Sequence, residues 1–219
     1  MGGSGQYLLV PSSASLSIPT TGNLTWEAWI RPDTINFPVA SGDGYVDFMS
    51  KCNQYGPTCE WESRMYNSTT PDGRPDRISA FIFNPSVGLG SAADWQPNAG
   101  VIQAGRWIHV VGEYTTGSQP ASCPNALAHP GSINIWVNGV EWNQSYHSPT
   151  GCMSQFGIVP RANNNPLTIG TMALDTWFEG AIGKVAIYNY LLTPAQIASH
   201  YQAMIGRAPT RSCASTCSF

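Results

Sequence analysis

Apolar and polar residues alternate along much of the chain, which is the two-residue period of half-buried β-strands. In the clearest run, 24–31, the even positions are apolar: Leu24, Trp26, Ala28 and Ile30. Similar runs predict further strands at 6–10, 45–51, 60–66, 77–83, 107–115, 132–137, 167–171 and 181–190. So many strands with so little helix favour an all-β fold of two packed antiparallel sheets.

The strongest turn signal is Asn138-Gly139, which lies between two apolar runs. A two-residue hairpin turn of this kind needs positive φ at both positions, and Asn and Gly adopt it most readily. The stretches 85–105 and 117–131 are rich in Gly, Pro and Ser and lack a period, so they are predicted to be irregular loops. Long loops on a β scaffold are where binding residues usually lie.

One segment, 193–204, has the signature of a helix. Thr193 and Gln196 form a capping box around Pro194, which suits the first helical position. Apolar residues then recur at helical spacing, and this stripe should pack on the sandwich: Ile197, Tyr201 and Met204. We therefore expect one domain over 1–205 and a short tail over 206–219 that is held by its own cysteines.

The balance of charge narrows the range of partners. Of 219 residues only 11% are charged, and the net charge is −3 without any basic run. Such a surface cannot neutralise a phosphate backbone or bind an anionic bilayer, so we expect no nucleic acid partner and no membrane insertion. No apolar run approaches the roughly 20 residues that span a bilayer. Secretion would require a leader that has been removed.

The cysteines and sequons point to a secreted, extracellular protein. Six cysteines fall into three local pairs: Cys52 with Cys59, Cys123 with Cys152, and Cys213 with Cys217. Such pairs are typical of disulfides formed in an oxidising compartment, although zinc binding stays an alternative. N-x-S/T sequons predict glycosylation at Asn23, Asn67 and Asn143.

Six segments together form a recognisable series: G-S-G-Q-Y-L-L-V-P at 3–11, L-T-W-E-A-W-I-R-P at 24–32, G-R-W-I-H-V-V-G-E-Y at 105–114, I-W-V-N-G at 135–139, L-T-I-G at 167–170 and F-E-G-A-I-G-K-V-A-I-Y-N-Y-L-L-T-P-A-Q-I at 178–197. In order and spacing they resemble the laminin-G-like jelly-roll family, the pentraxin-related branch of the concanavalin-like lectins. The resemblance implies a two-sheet jelly-roll sandwich with one short C-terminal helix. It leaves the activity open, since the family includes lectin modules, adhesion modules and domains appended to enzymes.

Calcium is the one cofactor that the resemblance brings into question. The family often carries acidic residues before its first strand and near its last, at positions associated with a structural calcium ion. Here the matching residues are Gly2 and Gly183. That site therefore lacks both carboxylates. Because calcium takes six to eight oxygen ligands, backbone carbonyls alone would bind it weakly there. An alternative calcium site is the acidic segment that contains Asp43 and Asp47.

Eight tryptophans suggest carbohydrate binding, because a flat ring stacks on the C–H face of a pyranose. Those in strands or in the family segments are expected to fill the core: Trp26, Trp29, Trp107, Trp136 and Trp177. The other aromatic residues near Asn and Gln are the predicted ligand-binding residues: Trp61, Trp95, Trp142, Tyr55, Tyr66 and Tyr146. Packing beneath the long loops is the alternative role for each of them.

An enzymatic alternative depends on Glu60 and Glu62. Strand alternation places both side chains on one face, with their points of attachment to the backbone about 6.5 Å apart. Their carboxyl groups could then approach the spacing of a retaining glycosidase pair. Family-16-type glycoside hydrolases use E-x-D-x-E on a strand, whereas here Ser63 and Arg64 follow the E-x-E. Ion pairing or solvation beside Arg64 explains these carboxylates better than catalysis does. His109 lies within an alternating strand and is expected to be structural.

The sequence therefore predicts an extracellular, non-catalytic module that binds a glycan or an extracellular protein surface. One alternative is a structural subunit that self-assembles with other copies or with a neighbouring protein. The other is a glycoside hydrolase or polysaccharide lyase that uses Glu60 and Glu62.

Overall fold

The computed structural model describes residues 1–53, 59–71, 73, 75–84, 89–95, 100–117, 132–141, 154–155 and 160–206. The longer strands are β2 (Asn23–Pro32), β3 (Tyr45–Ser50), β4 (Trp61–Tyr66), β5 (Ile78–Asn84), β6 (Leu89–Trp95), β7 (Ile108–Thr115), β8 (Ser132–Val137) and β14 (Gly180–Tyr188). The short strands are β1 (Leu8–Val10), β9 (Val140–Glu141), β10 (Ser154–Gln155), β11 (Leu167–Ile169), β12 (Thr171–Met172) and β13 (Thr176–Trp177). The helices are α1 (Ile18–Thr21), which follows a 3₁₀ turn, and α2 (Pro194–Met204).

Two antiparallel sheets form the fold. The first has the strand order β1-β11-β3-β4-β5-β6, and the second has the order β10-β8-β7-β2-β14, with β9 paired to β8. The pair β12–β13 makes a small separate hairpin. This arrangement confirms the predicted two-sheet sandwich with one main helix near the C-terminus.

The core lies between the sheets and is built from alternate residues of their strands. Trp26 and Trp61 stack there with ring centroids 5.0 Å apart. The Trp26 indole donates a hydrogen bond to Ser63 Oγ at 2.6 Å, which satisfies its polar atom inside the core. Gly112 faces the same ring, and an added Cβ would lie 2.4 Å from it. A side chain at position 112 would therefore displace Trp26.

Helix α2 packs on the outer face of the second sheet. Its capping box at Thr193 and Gln196 is present as predicted. Beneath it lies a second apolar cluster of buried residues: Val111, Trp136, Leu192 and Ile197. Trp29 stacks on Tyr201 of the helix at 5.8 Å. Of the helices in the described part of the chain, none has the length and apolar character to cross a membrane.

Some sequence predictions need correction. Trp29 and Trp136 are buried beneath α2 and not between the sheets, because they point to the outer face of their strands. Trp107 was expected in the core, but 47% of it is exposed, since it lies just before β7 begins. The stretch 85–105 was expected to be irregular, yet it contains β6, which pairs with β5 along its whole length. The turn at Asn138-Gly139 was right, with φ of 53° and 77°.

Candidate functional site

A polar pocket of about 580 Å³ opens beside the first sheet. One wall is the segment between β1 and β2, and the other is the segment before β11. All its lining residues but two alanines carry a hydroxyl or an amide: Ser12, Ser13, Ala14, Ser17, Thr20, Ala162, Asn163 and Asn164. No charged side chain belongs to this set of described residues. The pocket therefore presents neutral groups that can both donate and accept hydrogen bonds.

The pairing of β1 with β11 explains why the two walls face each other. The strands are antiparallel, with Val10 opposite Leu167. The segment that follows β1 and the segment that precedes β11 therefore lie at the same end of this strand pair. The exposed hydroxyl of Ser12 donates across the gap to the backbone oxygen of Asn163 at 3.5 Å.

A buried ion pair joins the walls from behind. Lys51 Nζ lies 3.2 Å from Glu60 Oε2, and both side chains are fully buried. On the Glu60 side, Oε1 accepts hydrogen bonds from Ser17 Oγ at 2.9 Å and from the Ile18 backbone N at 2.6 Å. On the Lys51 side, Nζ donates to the backbone oxygen of Asn163 at 2.8 Å and to its Oδ1 at 2.7 Å.

The neighbouring backbone holds this ion pair in register. Lys51 follows β3 and Glu60 precedes β4, and the two residues are joined by the ladder, with Glu60 N donating to Lys51 O at 3.1 Å. One residue beyond each of them, Cys52 and Cys59 form a disulfide. The first predicted disulfide is therefore present, and it joins the chain next to the ion pair.

The electrostatics of Glu60 reflect its burial. Burial raises the pKa of the Glu60 carboxyl, while Lys51, Ser17 and the backbone N–H of Ile18 counteract that rise. A buried carboxylate is costly unless it is paired and hydrogen-bonded. The contacts that oppose this rise in the pKa of Glu60 are thus the same contacts that link the pocket walls.

Sequence reasoning missed this site because Lys51 and Glu60 were considered separately. Lys51 was counted in the net charge and was given no structural role, and Glu60 was considered only as a partner of Glu62. The signal that could have found the pair is the mirrored order Lys51-Cys52 and Cys59-Glu60, since a disulfide brings its flanking residues together.

Glu62 belongs to a different buried cluster, on the outer face of the first sheet. Its carboxylate contacts the Arg64 guanidinium, whose carbon lies 3.9 Å from the centre of the Phe81 ring and 4.1 Å from that of Tyr45. Burial raises the pKa of Glu62, and burial together with the nearby Glu62 raises the pKa of Asp47 well above its usual range. The charge of Arg64 counteracts both shifts.

The proposed catalytic pair is therefore not supported by the geometry. Glu60 and Glu62 have no exposed surface, and their carboxylates have different partners. In a glycosidase, both carboxylates of the catalytic pair contact the same sugar. Glu60 and Glu62 cannot do so, because both are buried with separate partners. The expectation of ion pairing at these positions was right, whereas the expectation of a solvated edge was wrong.

The predicted aromatic ligand platforms are also corrected where the structure describes them. Trp61 is fully buried, and its indole donates to Leu16 O at 2.9 Å. Tyr66 is buried beneath Arg77, whose guanidinium carbon lies 3.6 Å from the ring centre. Neither ring is accessible to a sugar. Trp95 ends β6, but its side chain lies outside the described part, as do Tyr55, Trp142 and Tyr146.

The acidic segment proposed for calcium is not a loop site. Asp47 is fully buried in β3, where it accepts a hydrogen bond from Thr176 Oγ1 at 3.1 Å. Asp43 lies in an exposed turn. Among the described residues, one group of three metal-type ligands comes within 4.8 Å, namely Cys52, Cys59 and Glu62, and its two cysteines form the disulfide.

The remaining predicted modification sites have varied surroundings. Asn23 begins β2 and is half-buried. The Asn67 amide bonds the Phe37 backbone, since its Oδ1 accepts from Phe37 N at 2.9 Å. A glycan would be attached at Asn67 Nδ2, which here donates to the Phe37 backbone oxygen at 3.4 Å. Asn143 and four cysteines lie outside the described residues: Cys123, Cys152, Cys213 and Cys217.

A second polar cluster fastens α2 to the second sheet. Glu27 accepts hydrogen bonds from His200 Nδ1 at 3.0 Å and from the Tyr188 hydroxyl at 2.9 Å. His109 Nε2 lies 3.4 Å from the same carboxylate, and the His109 ring stacks on Trp29. Burial raises the pKa of Glu27, but these hydrogen bonds outweigh it and leave the pKa below its ordinary value. His109 is therefore structural, as predicted.

Comparison with known proteins gives the fold a context. One family model, described as the concanavalin A-like lectin/glucanases superfamily, matches residues 2–198. Comparison with curated proteins found no similar sequence. Similar solved structures include the botulinum neurotoxin serotype D binding domain (TM-score 0.62, 12% identity, 94% of this chain and 42% of that chain) and the type G receptor binding domain (TM-score 0.53, 13% identity, 84% and 38%). The chain spans about two-fifths of these structures, and at such identities the likeness shows the fold alone.

Proposed function

The chain belongs to the concanavalin A-like lectin/glucanases superfamily, and on that premise we propose that it is an extracellular, non-catalytic carbohydrate-binding module. The ligand occupies the polar pocket between 12–20 and 162–164. The observation that carries the proposal is the lining of this pocket, which consists almost entirely of hydroxyl and amide groups.

The chemistry of the lining suits a saccharide. Sugar hydroxyls donate and accept hydrogen bonds, and Ser, Thr and Asn side chains do the same. A volume of about 580 Å³ lies within the range of small-molecule sites. No aromatic ring belongs to the described lining, so recognition depends on hydrogen bonds and on shape.

Two further observations support an extracellular binding role. The Cys52–Cys59 disulfide is of the kind that persists in oxidising compartments. Of the similar botulinum neurotoxin structures, that of type G is named a receptor binding domain and that of serotype D a binding domain. The buried positions of Glu60 and Glu62 favour binding over hydrolysis.

A glycan array tests the proposal directly. The purified chain is applied beside the variant Thr20→Ala/Asn164→Ala, which removes two exposed lining groups without touching the core. The matched control is Asn189→Ala, an exposed asparagine that is not part of the lining. We expect selective glycan binding by the wild type and the control. In the pocket variant it falls roughly tenfold or more, since each lost hydrogen bond costs about 1 kcal/mol.

Two results would reject the proposal. One is an array on which the wild type binds no glycan. The other is selective binding that the pocket variant retains at full strength, which would move the ligand site elsewhere on the sandwich.

A second candidate function, self-assembly, is favoured by the edge of the first sheet. Among the strands that the structure describes, β1 pairs with β11 alone, and its Leu8 and Leu9 are 59% and 54% exposed. Edge strands with exposed apolar residues readily pair with another chain. Sedimentation of the wild type and of Leu8→Lys tests this. The sedimenting mass of a self-assembling wild type should increase with concentration, and that of the variant should not. A wild type that stays monomeric over that concentration range removes this candidate.

A further inference from the structure

The two pocket walls are connected by a continuous series of buried polar contacts. It runs from Ser17 to Glu60, across the ion pair to Lys51, and on to Asn163. Ser17 and Asn163 line the pocket, whereas Lys51 and Glu60 lie behind it and do not. A ligand in the pocket would thus contact the ends of this series and never its centre.

The centre of the series is the most firmly held part. Lys51 and Glu60 are neighbours on paired strands, and the Cys52–Cys59 disulfide closes the chain beside them. The other contact described between the walls, from Ser12 to Asn163, is exposed and 3.5 Å long. Beyond the β1–β11 ladder at the base of the walls, the buried pair is therefore the chief described contact that sets their separation.

The charges of the pair also bear on ligand choice. Lys51 Nζ forms an ion pair with Glu60 Oε2 and donates to the two oxygens of Asn163, and the Lys51 side chain is fully buried. This cation therefore does not reach the pocket, and no charged group belongs to the described lining. An anionic sugar would lose hydration in the pocket without gaining a cation in exchange.

We propose that Lys51 and Glu60 are positioning residues that set the distance between the pocket walls and that the pocket selects uncharged saccharides. This inference rests on the proposed function, since it concerns the same pocket. It adds two residues that never touch the ligand, and it excludes sialylated, sulfated and uronate-bearing glycans as preferred ligands.

The test uses the double variant Lys51→Met/Glu60→Gln. Replacing both partners leaves no unpaired buried charge, so the fold should be retained. The glutamine introduced by Glu60→Gln keeps an oxygen for Ser17 and Ile18, but the thioether introduced by Lys51→Met cannot donate to Asn163. With the neutral array glycan that gives the strongest wild-type signal, we expect affinity to fall roughly tenfold or more while the unfolding midpoint stays near that of the wild type.

A thermodynamic cycle separates positioning from general weakening. Asn164→Ala is measured in the wild type and in the Lys51→Met/Glu60→Gln background, with Asn189→Ala as the control. If the pair positions the Asn163–Asn164 wall, the Asn164→Ala loss becomes much smaller in that background, because coupled residues are not additive. The control has no effect in either background. Should the double variant not fold, Lys51→Gln/Glu60→Gln replaces it, because it also removes both charges and its two amides can hydrogen-bond to each other, while the shorter side chain at position 51 does not reach Asn163 as lysine does.

The outcomes distinguish the inference from the proposed function. If Thr20→Ala/Asn164→Ala weakens binding but the Lys51→Met/Glu60→Gln variant binds as well as the wild type, the positioning role is wrong and the binding function stands. Preferential binding of anionic glycans overturns the ligand class alone. A wild type that binds no glycan overturns the proposed function itself.

Discussion

The indole rings of Trp26 and Trp61 stack 5.0 Å apart between the two sheets, and the Trp61 indole donates to Leu16 O at 2.9 Å. This buried relationship predicts that Trp61→Phe lowers stability by about 1–3 kcal/mol, through a smaller ring and the lost hydrogen bond. Urea unfolding measures the change. Glycan affinity of the folded variant should equal that of the wild type, and a stable variant with selectively lost binding would restore Trp61 as a ligand residue.

The Cys52–Cys59 disulfide closes a loop with a sequence separation of 7. Loop-closure entropy predicts that Cys52→Ser/Cys59→Ser lowers the free energy of unfolding by about 2–3 kcal/mol. Urea unfolding of both proteins checks this value. Equal unfolding midpoints for the variant and the wild type would show that the disulfide does not stabilise the fold by restricting the unfolded chain.

Glu113 is expected to lower the stability of the fold as its carboxyl ionises. It is 4% exposed on β7, and the Trp136 indole donates to its carboxylate at 2.6 Å. Burial raises the pKa of Glu113 from 4.5 to about 7, although the Trp136 bond lowers it, and nearby Glu141 adds to the rise. The folded chain thus holds this proton more tightly than the unfolded chain. Stability should decline from about pH 4.5 to about pH 7, by at most about 3 kcal/mol.

The variant Glu113→Gln isolates this effect. Its amide oxygen still accepts from Trp136, but position 113 no longer ionises. We expect the variant to gain stability relative to the wild type at pH 8 and to show a smaller gain or a loss at pH 4. Unfolding in urea at the two pH values measures both differences, and a pH-independent difference would refute the shifted pKa.

For Glu27 we expect the opposite pH dependence, because its stabilising contribution is lost at acidic pH. Because the pKa of Glu27 is lowered in the folded state, its contribution is complete above the ordinary value of about 4.5. It is lost as the pH falls through the lower, folded value. Glu27→Gln should therefore cost about 1–2 kcal/mol at pH 6 and less at pH 3. Unfolding measured at both pH values checks this, and equal costs would mean that the charge of Glu27 does not hold α2.

Much of the fold could be predicted from local pattern. Alternation over 24–31 and 132–137, the turn at Asn138-Gly139 and the capping box at Thr193 each appear close to where the sequence places them. Strand β6 could not be predicted, because Leu89-Gly-Ser-Ala-Ala-Asp-Trp95 has small residues and no alternation, and pairing with β5 determines its structure. The boundary at residue 205 stays a prediction.

The candidate site was much less predictable. Its lining comes from residues with no distinctive motif, and the pairing of β1 with β11 brings them together across about 150 positions. Aromatic residues favoured as sugar platforms from composition, such as Trp61 and Tyr66, fill buried layers instead. Local alternation places Glu60 and Glu62 near each other but cannot show which buried cation each one meets.

The most direct test of the central claim, a saccharide-binding pocket between 12–20 and 162–164, is mapping of backbone amide chemical shifts. The chain is titrated with the neutral glycan that gives the strongest array signal. We predict saturable shifts concentrated in those two segments, with none of comparable size around Trp107 on the opposite sheet. Saturable shifts that leave both segments unchanged, or no saturable shift with any array glycan, would contradict the account.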